Sequence, residues 1–190
     1  MKKKTNIIRK FKSMRLPRKV SFISFIIILV LIQLLSLMSL IGIATVPDIL
    51  NNIKIPSGYV FTNIDTDYPE DMVVSIPYDI VNKGIYDLTE MRIEAEMYIV
   101  YVNQSNSLNI TRNIFAKSDF LPDCKGLQRL SGIFLGNFYD FNINSLVRYF
   151  EEVDPYSTTN FFLNLNFSTK YFFNLISLQT RFSDLNLLET

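Results

Sequence analysis

The chain lacks histidine and tryptophan, has a single cysteine, Cys124, and has only six glycines in 190 residues. Each scarcity removes a class of function. Without histidine there is no common general base and no imidazole metal ligand, which disfavours Ser-His, Cys-His and zinc-dependent mechanisms. One cysteine cannot close an internal disulfide, so the fold must be held by its apolar core whichever redox compartment it faces. No glycine-rich phosphate loop, nucleophile elbow or metal-ligand cluster is present, so no cofactor and no catalytic residue are expected.

The charges are segregated. Residues 1–19 carry nine of the 19 basic side chains and no acid, which leaves ten bases against all 18 acids in the rest, a net charge near −8. An acidic body of this kind is a poor partner for nucleic acid.

Between Lys19 and Pro47 runs an uncharged stretch, VSFISFIIILVLIQLLSLMSLIGIATV. At about 1.5 Å per helical residue it reaches roughly 40 Å, more than a hydrocarbon core of about 30 Å requires. A single transmembrane helix over 20–46 is therefore expected, with the lipid bilayer as a partner. Gly42-Ile43-Ala44 resembles a signal-peptidase site, but the apolar core of a signal peptide is usually about 7–15 residues, so an anchor is preferred to a cleaved signal. The basic residues before the span place 1–19 in the cytoplasm as a tail and the remainder outside it. Ile7, Ile8, Phe11, Met14 and Leu16, interleaved with those bases, suit a segment lying on anionic headgroups, beside the plainer reading of a topology signal. Gln33, Ser36 and Ser39 fall on one side of the span, where they could hydrogen-bond to a second copy or to another membrane protein.

Residues 47–71 are expected to form a linker with a first strand at 58–63, lifting the domain off the bilayer. Asp65, Asp67, Glu70 and Asp71 cluster around Pro69, but the glycine and distal glutamate of a calcium loop are missing, and a solvated acidic turn is expected.

Residues 72–190 alternate as β-strands. Val74, Ile76, Tyr78 and Ile80 share one face, and Pro77 predicts an edge or bulged strand because it cannot donate to a ladder. After Asn82-Lys83-Gly84, a run over 86–101 puts Met91, Ile93, Ala95, Met97, Ile99 and Tyr101 inward and Arg92, Glu94 and Glu96 outward. A third strand is expected over 108–116, an irregular stretch over 117–125, and a fourth strand over 126–135 in which Gly132 and Gly136 mark bulges or close approach. Asn144 reads as the N-cap of a helix over 145–153 with Leu146, Val147, Phe150 and Val153 inward. A hairpin then turns at Thr169-Lys170. The sum is an antiparallel Ig/fibronectin-III-like β-sandwich of six or seven strands with one inserted helix, behind a transmembrane helix.

The strand ending Ile80-Val81-Asn82, the turn into Tyr86-Asp87-Leu88, the long strand to Tyr101, the helical Ser145-Leu146-Val147-Arg148-Tyr149-Phe150 and the closing hairpin of 160–187 resemble the type 2 late embryogenesis abundant (water-stress and hypersensitive-response, WHy) domain. Asn82 is followed by Lys83 where that family usually pairs asparagine with proline. The resemblance implies a non-enzymatic, often membrane-tethered sandwich for stress protection or binding. A structural or accessory subunit of a membrane assembly is the alternative.

Three sequons, at Asn103, Asn109 and Asn166, offer candidate glycosylation sites if the domain lies outside. Asn103 borders a turn and is expected to be the most reachable. Glu94 and Glu96 could imitate a carboxylate pair, although a solvated strand face with Arg92 is the simpler reading.

Overall fold

In a computed structural model, which describes residues 16–65 and 68–187, the chain divides into two compact units, Met1–Ala44 and Thr45–Thr190. The tail at 1–15 and Asp67 lie outside the described residues. In the first unit, helix α1 covers Leu16–Ala44. From Val20 to Ile43 its large side chains are apolar around the whole circumference and exposed, a pattern that suits lipid on every side. The helical stretch Arg18–Leu50 is long and apolar enough to cross a membrane.

The second unit begins with α2 (Val46–Leu50) and two short strands, β1 (Ile53–Lys54) and β2 (Phe61–Asn63). Then come β3 (Val73–Val81), β4 (Thr89–Val102), β5 (Asn109–Phe120) and β6 (Arg129–Asn137). Helix α3 (Ile143–Glu152) precedes the closing hairpin of β7 (Asn160–Tyr171) and β8 (Ile176–Asn186). Two antiparallel four-stranded sheets result. In one, β3 is flanked by β6 on one side and by β1 and β2 on the other; the second runs β5-β4-β7-β8. This is the expected mainly β, sandwich-type architecture behind an apolar helix.

Alternation builds the core. The expected inward residues of β3 and β4 are all buried, and they meet Leu163, Leu165 and Phe167 of β7. β6 contributes glycines where its neighbours are large. A Cβ at Gly132 would come 2.5 Å from the Tyr78 hydroxyl, and one at Gly136 would run into the Phe115 ring. Both are close approaches, not bulges. A bulge lies instead in β5, where Met97 pairs with Phe115 and Tyr98 with Asn113. The extra residue lets both Ile114 and Phe115 point inward.

Several expectations are corrected. β3 is a central strand, not an edge. Pro77 is accommodated because it faces the gap between β1 and β2, where its carbonyl accepts from Ser57 N at 2.8 Å and no partner strand needs its missing N–H. Residues 47–71 are not a free linker, since Ile49, Ile53, Ile55 and Val60 belong to the core. β5 continues through 117–120, which sequence periodicity leaves irregular because the bulge shifts its phase. The N-cap of α3 is Asn142, whose side chain accepts from Ser145 N, so the helix starts earlier than expected. Its inner residues are Ile143, Leu146, Tyr149 and Val153, with Tyr149 edge-on to Tyr101, while Val147 and Phe150 are exposed. The last hairpin turns at 172–175 and not at Thr169-Lys170.

Candidate functional site

The outer face of the second sheet carries the densest set of polar side chains. Strand pairing aligns Glu94 of β4 with Asn166 of β7 and Asn166 with Arg181 of β8; Glu96 stands opposite Asn164, and Ser168 opposite Gln179. The Asn166 amide donates to Glu94 Oε2 at 2.9 Å and accepts from Gln179 Nε2 at 2.9 Å. Glu94, Glu96, Asn164, Asn166, Gln179 and Arg181 line a shallow, open groove of about 230 Å³. Glu94 also meets Arg92 at 3.3 Å, as a solvated strand face requires. Glu96 and Arg181 make no ion pair among the described residues and are available to a ligand. At one end of the face Tyr98 stacks on Phe162 and donates to the Asp184 carboxylate. That hydrogen bond, with burial and the negative charge behind it, pushes the phenol up to about 12. Planar amides, two carboxylates, a guanidinium and an aromatic edge on a rigid sheet can recognise a polar ligand rich in hydroxyl or amide groups.

Sequence reading finds Glu94, Glu96 and Asn166 but misses Gln179 and Arg181. Placing the turn three residues too early puts β8 out of register, and a single-residue slip moves a strand's side chains to the other face.

The three sequons occupy different environments. Asn103 is buried, its Oδ1 accepting from Ser105 N at 2.8 Å and its Nδ2 directed at Glu152 Oε2 at 3.4 Å. It organises the β4–β5 turn and is not the most reachable of the three. Asn109 is exposed at the start of β5, and Asn166 is engaged in the groove. Of the described acidic residues, Asp65 accepts from Tyr68 N at 3.2 Å, Glu70 and Asp71 lie in a short 3-10 turn, and the Asp71 carbonyl accepts from Asn63. Among the described residues no group of three or more Asp, Glu or Cys side chains is placed to hold a metal.

Two junctions, one half-buried and one fully buried, hold the ends of the sandwich. At one, Arg112, which faces inward under α3, donates to both Glu152 oxygens at 2.7 and 3.0 Å and to the Tyr101 hydroxyl at 2.8 Å. The Arg112 guanidinium, then the Tyr101 hydroxyl, hold the Glu152 carboxyl below its usual range. At the other, the fully buried Asn82 amide donates to the carbonyls of Tyr86, Cys124 and Lys125 and its Oδ1 accepts from Gly84 N. Cys124 is buried beside it, and burial pushes its thiol up, away from reactivity.

No family model and no curated protein matches the sequence. Among solved structures, the chain is similar to Spo0M, a sporulation control protein from Bacillus subtilis, with 10% identity and a TM-score of 0.33. The overlay covers 70% of this chain and 49% of that one, so the chain spans about half the length of that structure. At that score the likeness says nothing about what this chain does.

Proposed function

We propose that the protein is a single-pass membrane anchor that displays one β-sandwich outside the cytoplasm as a non-enzymatic binding or stress-protection module of the type 2 late embryogenesis abundant kind. The observation that carries the reading is a helix apolar on every side, followed in the chain by a folded sandwich whose outer sheet face is polar. The nine bases of 1–19 favour a cytoplasmic N-terminus. Protease treatment of sealed right-side-out vesicles, followed by mass analysis, tests it. Loss of the sandwich with residues 1–46 protected is the expected result. A fully protected sandwich overturns the orientation and moves the search for partners to the cytoplasm.

A second reading, as a structural subunit of a membrane assembly, draws on a different surface. On the outer face of the first sheet, Phe61, Ile133 and Leu135 are exposed, and β6 pairs only with β3 among the described residues. An open edge beside an apolar row can add a partner strand. Leu135→Glu shrinks the detergent-extracted particle under this reading and leaves its size unchanged under the first.

A further inference from the structure

Thr45, the first residue of the sandwich unit, shares a 2.9 Å hydrogen bond with the hydroxyl of Tyr171 at the end of β7. The chain turns immediately afterwards at Phe172-Phe173-Asn174-Leu175. Phe172, Phe173 and Asn174 have φ of 53°, 52° and 63°, three consecutive left-handed residues without a glycine. Asparagine tolerates that region; bulky phenylalanine does not do so readily. Folding alone would favour smaller residues here, yet Phe173 is 75% and Leu175 74% exposed. Two more loops reach the same end. Tyr86 packs on Phe172 and Phe173 with ring centroids at 4.7 and 5.3 Å, and Leu127 N donates to the carbonyl of Gly84, which itself lies against Tyr171 and Ile49. These loops expose Ile85 and Leu127, with the exposed Lys83 and Lys125 beside them and the exposed Asp87 and Asp123 on the same loops, Asp87 accepting from Gly126 N.

Covalent continuity says what covers this patch. The uncharged run ends at Val46, and its reach of roughly 40 Å matches a bilayer measured to its headgroups, about 40–45 Å, which puts Thr45 at headgroup depth. Tyr171 is hydrogen-bonded to Thr45, so the turn that follows it lies at that depth too. We propose that Phe173, Leu175, Ile85 and Leu127 insert into the headgroup–acyl boundary of the bilayer that holds the anchor, so that the sandwich rests on the membrane by this end instead of standing off it. The proposal rests on the membrane-anchor reading. Apolar and aromatic side chains flanked by lysines are the composition that partitions to that boundary. The strained turn is then explained, because it holds two large apolar side chains outward where a relaxed turn would present small polar ones.

The absence of tryptophan supplies the test. Phe173→Trp, Leu175→Trp and Tyr156→Trp each give the full chain one indole. Tyr156 is 97% exposed and lies two residues after Asp154, whose N–H donates to the Val102 carbonyl at the far end of the 14-residue β4. Each variant is reconstituted into vesicles of phosphatidylcholine and phosphatidylglycerol brominated near the top of the acyl chains, and retention after carbonate washing is recorded. With the protein retained, the indoles at 173 and 175 are expected to lose most of their emission and shift to the blue, while that at 156 is unchanged. Retained protein with all three indoles unquenched overturns the docking and leaves the anchor standing. Protein released by carbonate overturns the anchor reading and the docking with it. The Leu175 variant keeps the test decisive if the strained position at 173 does not accept the larger ring.

Discussion

Arg112 Nη2 lies 2.7 Å from Glu152 Oε2, joining the inward face of β5 to the last turn of α3. A carboxylate at a helix C-terminus opposes the helix dipole, so Glu152 is not placed there for the helix. It answers Arg112, whose guanidinium the β5 ladder turns beneath α3 beside the buried Tyr101. Because the folded-state carboxyl is held below its ordinary value of 4.5, the pair's stabilisation is fully present above that pH and is lost as pH falls through the lowered value. Glu152→Gln should melt below wild type at neutral pH, with the gap closing in acid. Tyr101→Phe, which removes one hydroxyl from the junction, should cost about 1 kcal/mol. Thermal melts across a pH series check both; a constant gap for Glu152→Gln would sink the electrostatic account.

Asn82 predicts a larger loss. Its amide closes the end of β3 against the 124–125 loop by donating to three carbonyls, at 2.8, 3.1 and 3.2 Å. Asn82→Ala strands the Tyr86 carbonyl and the Gly84 N–H, while the Cys124 and Lys125 carbonyls keep the Leu88 and Gln128 N–H groups, and about 2–4 kcal/mol of stability should go, since each unsatisfied buried group costs about 1–3 kcal/mol. Asn82→Asp should be at least as harmful, because a carboxylate cannot donate and brings a buried charge. Urea midpoints that shift at constant slope would report a pure stability change; a midpoint within error of wild type would show that water replaces the amide.

The contact between Gly136 and the Phe115 ring joins the two sheets across the core. Gly136→Ala should destabilise by about 1–3 kcal/mol through overpacking. Phe115→Leu in the same chain frees the space, so the double variant should be more stable than the two single losses added together. Strictly additive losses in a double-mutant cycle would mean that the ring moves aside at no cost.

Where alternation is unbroken the sequence is legible, as in β3 and β4, whose inward residues follow from spacing alone. Legibility fails where one residue changes the phase. The bulge at Ile114 hides the continuation of β5, and the turn after Tyr171, built from phenylalanines in a left-handed conformation, carries none of the glycine or asparagine-glycine signals that mark hairpins. Two of the six polar residues lining the groove are hidden for that reason, since Gln179 and Arg181 are placed by the register of β8. Arg112 and Glu152 are 40 residues apart, and no local pattern announces that α3 folds back over β5. Pro77 shows the opposite error. A sound local rule pointed to an edge strand, and the gap between β1 and β2 satisfied the same rule within a central one.

Tyr98 and Asp184 provide a spectroscopic prediction at the polar face. The hydrogen bond to the carboxylate favours the neutral phenol and pushes its pKa up to about 12 from the ordinary 10.0. A raised folded-state value means that this contact stabilises the fold below pH 10.0 and is lost as pH climbs through about 12. In an alkaline titration followed by tyrosinate absorbance, wild type should therefore still hold Tyr98 protonated above pH 10.0, together with Tyr78 and Tyr101, whose phenols burial also pushes up. Asp184→Asn should bring the Tyr98 phenol back toward the ordinary range, and Tyr98→Phe should take one phenol out of the late step. A titration curve unchanged by Asp184→Asn would show that the carboxylate does not hold the phenol in solution, and the aromatic end of the groove would then be free to turn its hydroxyl toward a ligand.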